Sequence, residues 1–266
     1  MRLRAWAFWL CLMFISQAAG AEPRAGEPTE ALRFNMYWGP IPVGSAMLTD
    51  APASDAQGRP IRRIRLTCNS NFFVDLFCKV RDSLESVAAR DLSRSMAYNK
   101  SLREGSVRRR FSTRLDWAHR RSIRLDLLDN STLSRHLPES ALDPLAVFYD
   151  FRQRFLQGNH AMQTDVTDGL YLVKARARMV GRERISVPYG TFDARKAQVC
   201  MSHVDGIFRA SEPGCFFVWI SDDRRGLPLI LQAKVRVAGF LGDLSVELAG
   251  VENDQAQTKE QQQPSP

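Results

Sequence analysis

Two adjacent carboxylates, Asp222 and Asp223, stand beside Arg224 and Arg225 in the stretch FVWISDDRRGLPLILQAKV. Such a pair does general acid–base chemistry when both side chains reach one substrate. Neighbouring residues on an extended strand point to opposite sides, however, and this pair lies between two alternating apolar runs. Gly226 supplies a residue able to take the positive φ that ends a loop. The pattern therefore predicts a hairpin turn whose carboxylates bond backbone amides, not a catalytic dyad. His119, His136, His160 and His203 show neither H-E-x-x-H nor a pair at helical spacing, so no metal site is implied. Ser45, in VGSAM, lacks the G-x-S-x-G elbow, and neither G-x-G-x-x-G nor G-x-x-x-x-G-K occurs. No cofactor and no catalytic residue follow. A hydrolase or transferase would need a site assembled from scattered residues such as His203 and Asp222.

Which cysteines matter depends on the N-terminus. Arg2 and Arg4 precede an apolar stretch from Trp6 to Ile15, and Ala19-Gly20-Ala21 supplies a small-x-small cleavage pattern. Residues 1–21 read as a cleaved signal peptide, which predicts a periplasmic destination. No later run is long enough to cross a bilayer as a helix, so no transmembrane segment is expected in the mature chain. Loss of Cys11 leaves Cys68, Cys78, Cys200 and Cys215, an even number in an oxidising compartment. Four cysteines allow three pairings, which the sequence alone does not resolve. Local geometry favours Cys200 with Cys215, flanking a polar loop between two strands, and Cys68 with Cys78, bracketing NSNFFVDLF. A four-cysteine zinc site would want much closer pairs than these.

The chain has 37 Lys plus Arg against 29 Asp plus Glu. The signal removes two bases and no acids, so the mature balance is 35 minus 29, or +6. That surplus would suit acidic partners such as phospholipid or lipopolysaccharide headgroups but is no evidence for them, and a solvated basic surface is the preferred reading. No basic cluster is interleaved with aromatics as a nucleic-acid surface requires, and nucleic acid is not an expected partner.

The elements that must position any site are mostly strands. LYLVKARARMV sets Tyr171, Val173, Ala175, Ala177 and Met179 against Lys174, Arg176 and Arg178, a period of two; RRIRLTC and RSIRLDLL repeat it. Turn residues at Asp168-Gly169, Val187-Pro188-Tyr189-Gly190, and Gly239 with Gly242 punctuate the runs. Gly39 and Gly44 mark bends in a first hairpin. The expected fold is mainly β (α+β), a large antiparallel sheet in one domain over residues 31–250. A flexible lead-in (22–30) and a disordered Gln-rich tail (251–266) flank it. One helix stands out in LDPLAVFYDFRQRFLQG. Asp143 serves as N-cap, Pro144 suits the first turn, and Gly158 closes the C-terminus. Its aromatic stripe includes Phe148, Tyr149 and Phe155. A shorter helical turn is expected between Asn71 and Phe77.

Taken together, YWGPIPVGSAML, DPLAVFYDFRQ, GRERISVPYGTFDARKAQV and FVWISDDRRGLPLILQAKVRVAGFLGDLSVEL resemble an exported bacterial family called domain of unknown function 3108. W-x-S-D-D followed by R-x-x-P carries the resemblance most specifically. The paired cysteines lie outside that pattern. The resemblance implies an architecture similar to the lipoprotein-localisation carriers, a curved half-barrel wrapped around one main helix with an apolar cavity for acyl chains. On that basis Phe148, Tyr149 and Phe155, with Trp38 and Trp219, would line a cavity for a lipid or other amphiphile. An envelope-assembly factor working through an envelope protein partner is the alternative expectation.

Overall fold

Among the described residues the period-two alternation is realised in fourteen strands. The computed structural model describes residues 30–201, 214–237 and 240–252. The expected signal peptide, all but the last residue of the lead-in, His203, Gly239 and most of the Gln-rich tail lie outside the described residues. The first half of the chain forms β1 (Glu30–Trp38), β2 (Ile41–Ser54), β3 (Pro60–Ser70), the short helix α1 (Phe72–Asp75), β4 (Arg81–Ala89), β5 (Ser95–Glu104), β6 (Val107–Asp116), β7 (Arg121–Asp126) and β8 (Thr132–His136). Helix α2 (Pro144–Leu156) follows. The second half forms β9 (Ala161–Thr167), β10 (Leu172–Val187), β11 (Gly190–Cys200), β12 (Cys215–Ser221), β13 (Pro228–Val237) and β14 (Phe240–Val251).

All fourteen strands join one antiparallel sheet. From β1 the order runs through β2 to β8 in one direction, and through β14 back to β9 in the other. Every neighbour but one is the next strand in sequence; the exception is β1 against β14, which joins the two halves. The sheet is not closed, and its two edges, β8 and β9, are consecutive strands linked by the segment that carries α2. The expected lead-in ends one residue early, since Glu30 already pairs with Asp50 in β1 and β2.

α2 forms as its sequence dictates. Asp143 accepts hydrogen bonds from the amides of Leu145 and Ala146, and Pro144 occupies the first turn, where its missing N–H costs nothing. Gly158 takes φ +90°, ending the helix. Asp143 is fully buried, and the hydroxyls of Ser86 on β4 and Ser95 on β5 also donate to it. Burial pushes its carboxyl upward despite these four donors. The cap thus ties the helix start to two strands of the sheet. Just before it, Leu142 bonds across to β9 and Ala141 accepts the amide of Ser95, so one short segment stitches β9 to β5.

The core lies on the sheet face that carries α2. Leu32, Phe34, Leu48, Leu66, Leu84 and Val218 project there and pack with Leu145, Val147, Phe151 and Phe155 of the helix. The turn between β12 and β13 behaves as expected. Asp223 accepts the Ser221 hydroxyl and the amides of Arg225 and Gly226, and Gly226 takes φ +53°. Asp222 turns away to pair with Arg195 at 3.0 Å.

Cys200 and Cys215 face each other across β11 and β12 and form the expected disulfide. The expected Cys68–Cys78 bridge is corrected: both thiols are free. Cys68 sits on the inward face of β3, whereas α1 carries the chain outward and leaves Cys78 exposed near Gly105. Burial, reinforced by the negative charge of Asp82, pushes the Cys68 thiol up to about 12.

Candidate ligand-binding core

Phe148 divides two cavities beneath α2. The smaller, ≈ 20 Å³, is bounded by Phe151 and Phe155 of the helix and by Val199, Phe216, Val218 and Ile220 of β11 and β12. The larger, ≈ 50 Å³, reaches toward β1–β3, where Phe34, Met36, Leu48, Leu66 and Cys68 line it with Leu145. Phe148 and Val218 line both. Apart from Arg152 at the edge of the smaller one, the walls carry no charged side chain. Both are small, partly open gaps in the apolar packing beneath the helix.

The rim beside this apolar interior is ionic. Arg152, on the helix, makes a bidentate pair with Glu30 at 2.6 and 2.7 Å and donates to the carbonyls of Gly226 and Arg225. Arg62 on β3 makes a second bidentate pair, with Asp50 on β2. Tyr149 lies between them, its hydroxyl donating to Glu30 and its ring centroid 5.0 Å from the Arg62 guanidinium and 5.7 Å from that of Arg152. Burial, then the carboxylates of Glu30 and Asp50, push the Tyr149 hydroxyl well above its ordinary range. These residues line an open cleft of ≈ 300 Å³. Two cations meet two anions there, so the cleft offers no net charge to a ligand. Its chemistry is that of a clamp joining α2 to β1 and to the β12–β13 turn. At the helix C-terminus Arg195 adds a further tie, donating to the carbonyl of Phe155.

The five aromatics that the resemblance assigned to one cavity are dispersed. Phe148 and Phe155 line the apolar space. Tyr149 belongs to the ionic rim. Trp219 pairs with Lys196 on β11, the face opposite to Val218, and its indole N–H donates to Glu183 at 2.7 Å while Lys196 sits 4.4 Å above the ring. Parity along β12 puts it outside the helix side, so it is removed from the cavity set. Trp38 stands opposite Leu244 at the end of β1 and leans across Gly242, where an added Cβ would meet its indole nitrogen at 1.8 Å; it lines neither cavity. Sequence reasoning missed Glu30, Asp50, Arg62 and Arg152. Only the strand-face position of Arg62 and the helical position of Arg152 were visible, and neither reveals a partner.

The family model described as "Protein of unknown function (DUF3108)" matches residues 33–245. The chain belongs to that family. DUF3108 is matched here from within β1 to the middle of β14, so α2 and all of the sheet except residues 30–32 and 246–251 fall within the match. Among solved structures, the chain is similar to a β-barrel-like protein of domain of unknown function DUF1849 from Brucella abortus, with a TM-score of 0.52 at 8% identity. The match covers 85% of this chain and 98% of that one, and at this identity it speaks for the fold alone. No curated protein matches. Among the described residues, no helix is long and apolar enough to cross a membrane.

Proposed function

We propose that this DUF3108 protein is a non-catalytic binder or carrier of a lipid or other amphiphile in the cell envelope, with the sheet acting as a half-barrel around α2. The observation that carries the reading is the pair of apolar cavities separated by Phe148 under a helix that is capped by the buried Asp143 and clamped along one side by the ionic rim. Ligand sites usually offer ~300–1,000 Å³, so an acyl chain enters only if α2 shifts and Phe148 swings aside. The ionic rim is suited to that event. Arg152–Glu30 and the Asp143 cap hold the helix by hydrogen bonds that re-form after displacement, whereas the apolar walls gain contacts when a chain fills the voids. The periplasmic destination read from the N-terminus agrees with such a role.

A fluorescent fatty-acid probe titrated into the mature protein tests this. Saturable binding, displaced by unlabelled phospholipid, is the expected result. Phe148→Ala, which merges the two cavities, is expected to tighten binding, and Phe148→Trp to weaken it. Probe uptake that is unsaturable, or indifferent to both substitutions, would count against the core as the site.

A further inference from the structure

The segment between β3 and β4 is built inside out. Four large apolar side chains on and just beyond α1 face solvent: Phe72 is 81% exposed, Phe73 59%, Leu76 63% and Phe77 79%. Its polar residues point inward and hold it. Asn71 caps α1 by accepting the amide of Val74 and donates from its side chain to the carbonyl of Pro42. Asp75 accepts the Ser70 hydroxyl and pairs with Arg81. Loose chain would not need this scaffold. Four Phe and Leu side chains held outward on a fixed loop form the kind of patch that marks an interaction site.

What meets the patch is indicated by its surroundings. The neighbouring turns at the same end of the sheet add exposed Ile41 and Val107. Behind this apolar tip stands a belt of exposed cations, Lys79, Arg103, Arg108 and Arg110, the first tied to the β5–β6 turn through its carbonyl and the amide of Gly105. The acids at this end include Asp75, paired to Arg81, Glu104 at the β5–β6 turn, the buried Asp82, and Asp126 and Asp129 at the β7–β8 turn beside Arg110, each of the last two accepting a backbone amide within its own turn. An apolar tip ahead of a cationic belt complements an anionic bilayer, rings entering the acyl boundary and cations staying at headgroup level. Side chains this exposed can enter a deformable lipid surface without any complementary pocket. We propose that the Asn71–Cys78 loop docks this protein on an anionic membrane surface. The inference stands apart from the carrier reading, since docking needs no ligand in the core. The two are nonetheless compatible in space, because the larger cavity reaches Cys68 and Met36, toward the end of the sheet that bears the loop.

The test is co-sedimentation of the mature protein with protein-free vesicles, either pure phosphatidylcholine or an equal mixture with phosphatidylglycerol. Binding is expected to the mixed vesicles and to weaken with salt. Phe72→Ser with Phe77→Ser is expected to cut partitioning about tenfold or more. Arg108→Gln and Arg110→Gln are each expected to cut it about fivefold at low salt, and less at high salt. Both apolar positions are exposed, so folding is checked by an unchanged melting transition. Fatty-acid probe binding by the Phe variants is expected to match the unaltered protein, which separates a failure of docking from a failure of the carrier reading. No vesicle binding, or equal binding by all variants, overturns the proposal. So does a loop-dependent dimer without vesicle binding, which would assign the patch to a second copy. Binding to native envelope membranes but not to protein-free vesicles would likewise overturn it in favour of a protein partner.

Discussion

Asp168, in the turn between β9 and β10, places its carboxylate 3.4 Å from the ammonium of Lys100 on β5, with Arg124 of β7 at 3.9 Å. All three side chains are buried. Thr113 donates to the Asp168 carbonyl, and Gly169 sits so close to Thr113 that an added Cβ would be 2.6 Å away. The contact brings the turn beside one edge strand onto strands near the other edge. An open antiparallel sheet is thereby held curved.

Asp168→Asn keeps an acceptor for the amides of Leu170 and Tyr171 but removes the charge that faces two buried cations. Breaking a buried pair from one side costs about 3–5 kcal/mol. A loss of at least about 2 kcal/mol in urea denaturation is expected; a change under about 1 kcal/mol would mean that the curvature is held elsewhere.

The clamp at the rim makes a separate prediction. Arg152→Ala leaves Glu30 without its bidentate partner and releases the carbonyls of Arg225 and Gly226. The expected cost is about 2–4 kcal/mol, together with faster uptake of a fatty-acid probe because α2 lifts more readily. Stopped-flow fluorescence measures the rate, and an unchanged or slower rate would separate the clamp from ligand entry.

Thiol reactivity distinguishes the four cysteines among the described residues. Under native conditions a maleimide reagent is expected to modify Cys78, which is exposed, and to spare Cys68, which is buried and held as a neutral thiol. Peptide mapping without reductant is expected to recover Cys200 linked to Cys215. Recovery of a Cys68–Cys78 peptide from the monomer would contradict the arrangement of β3 and α1.

Asp82 sets a pH dependence. It is buried on β4, and desolvation, opposed by the Arg103 amide, raises its pKa from 3.8 to about 6. The folded state therefore prefers the protonated acid. This contribution to stability is fully present below about pH 4 and is lost as pH rises through 6. Asp82→Asn is expected to remove that decline, so the variant gains on the unaltered protein between pH 4 and pH 7 in thermal melts. A parallel pH profile in the two proteins would contradict the assignment.

Much of this fold is legible in the sequence, because period-two patterning records which strand face is solvated. The Asp143-Pro144 start, the Gly158 stop, the Cys200–Cys215 pairing and the Asp223 turn are all local, and local chemistry is written locally. The Glu30–Arg152 pair spans 122 positions, and no pattern in either segment points to the other. Lys100 is buried although nothing local marks it, because only the folded sheet brings Asp168 to it. Trp219 and Cys78 differ from expectation for another reason: residue type suggests a cavity wall and a disulfide, whereas strand parity and the outward course of α1 decide which way each side chain faces. The exposure of Phe72 and Phe77 is not written in their type either, since apolar clusters are ordinarily interior.

The most direct test of the central claim is native mass spectrometry of the protein purified without detergent from cells that make it. The account predicts a bound acyl-bearing mass that survives gentle activation and is more abundant in Phe148→Ala than in Phe148→Trp. A clean unliganded mass for all three proteins at the lowest activation energies would contradict it.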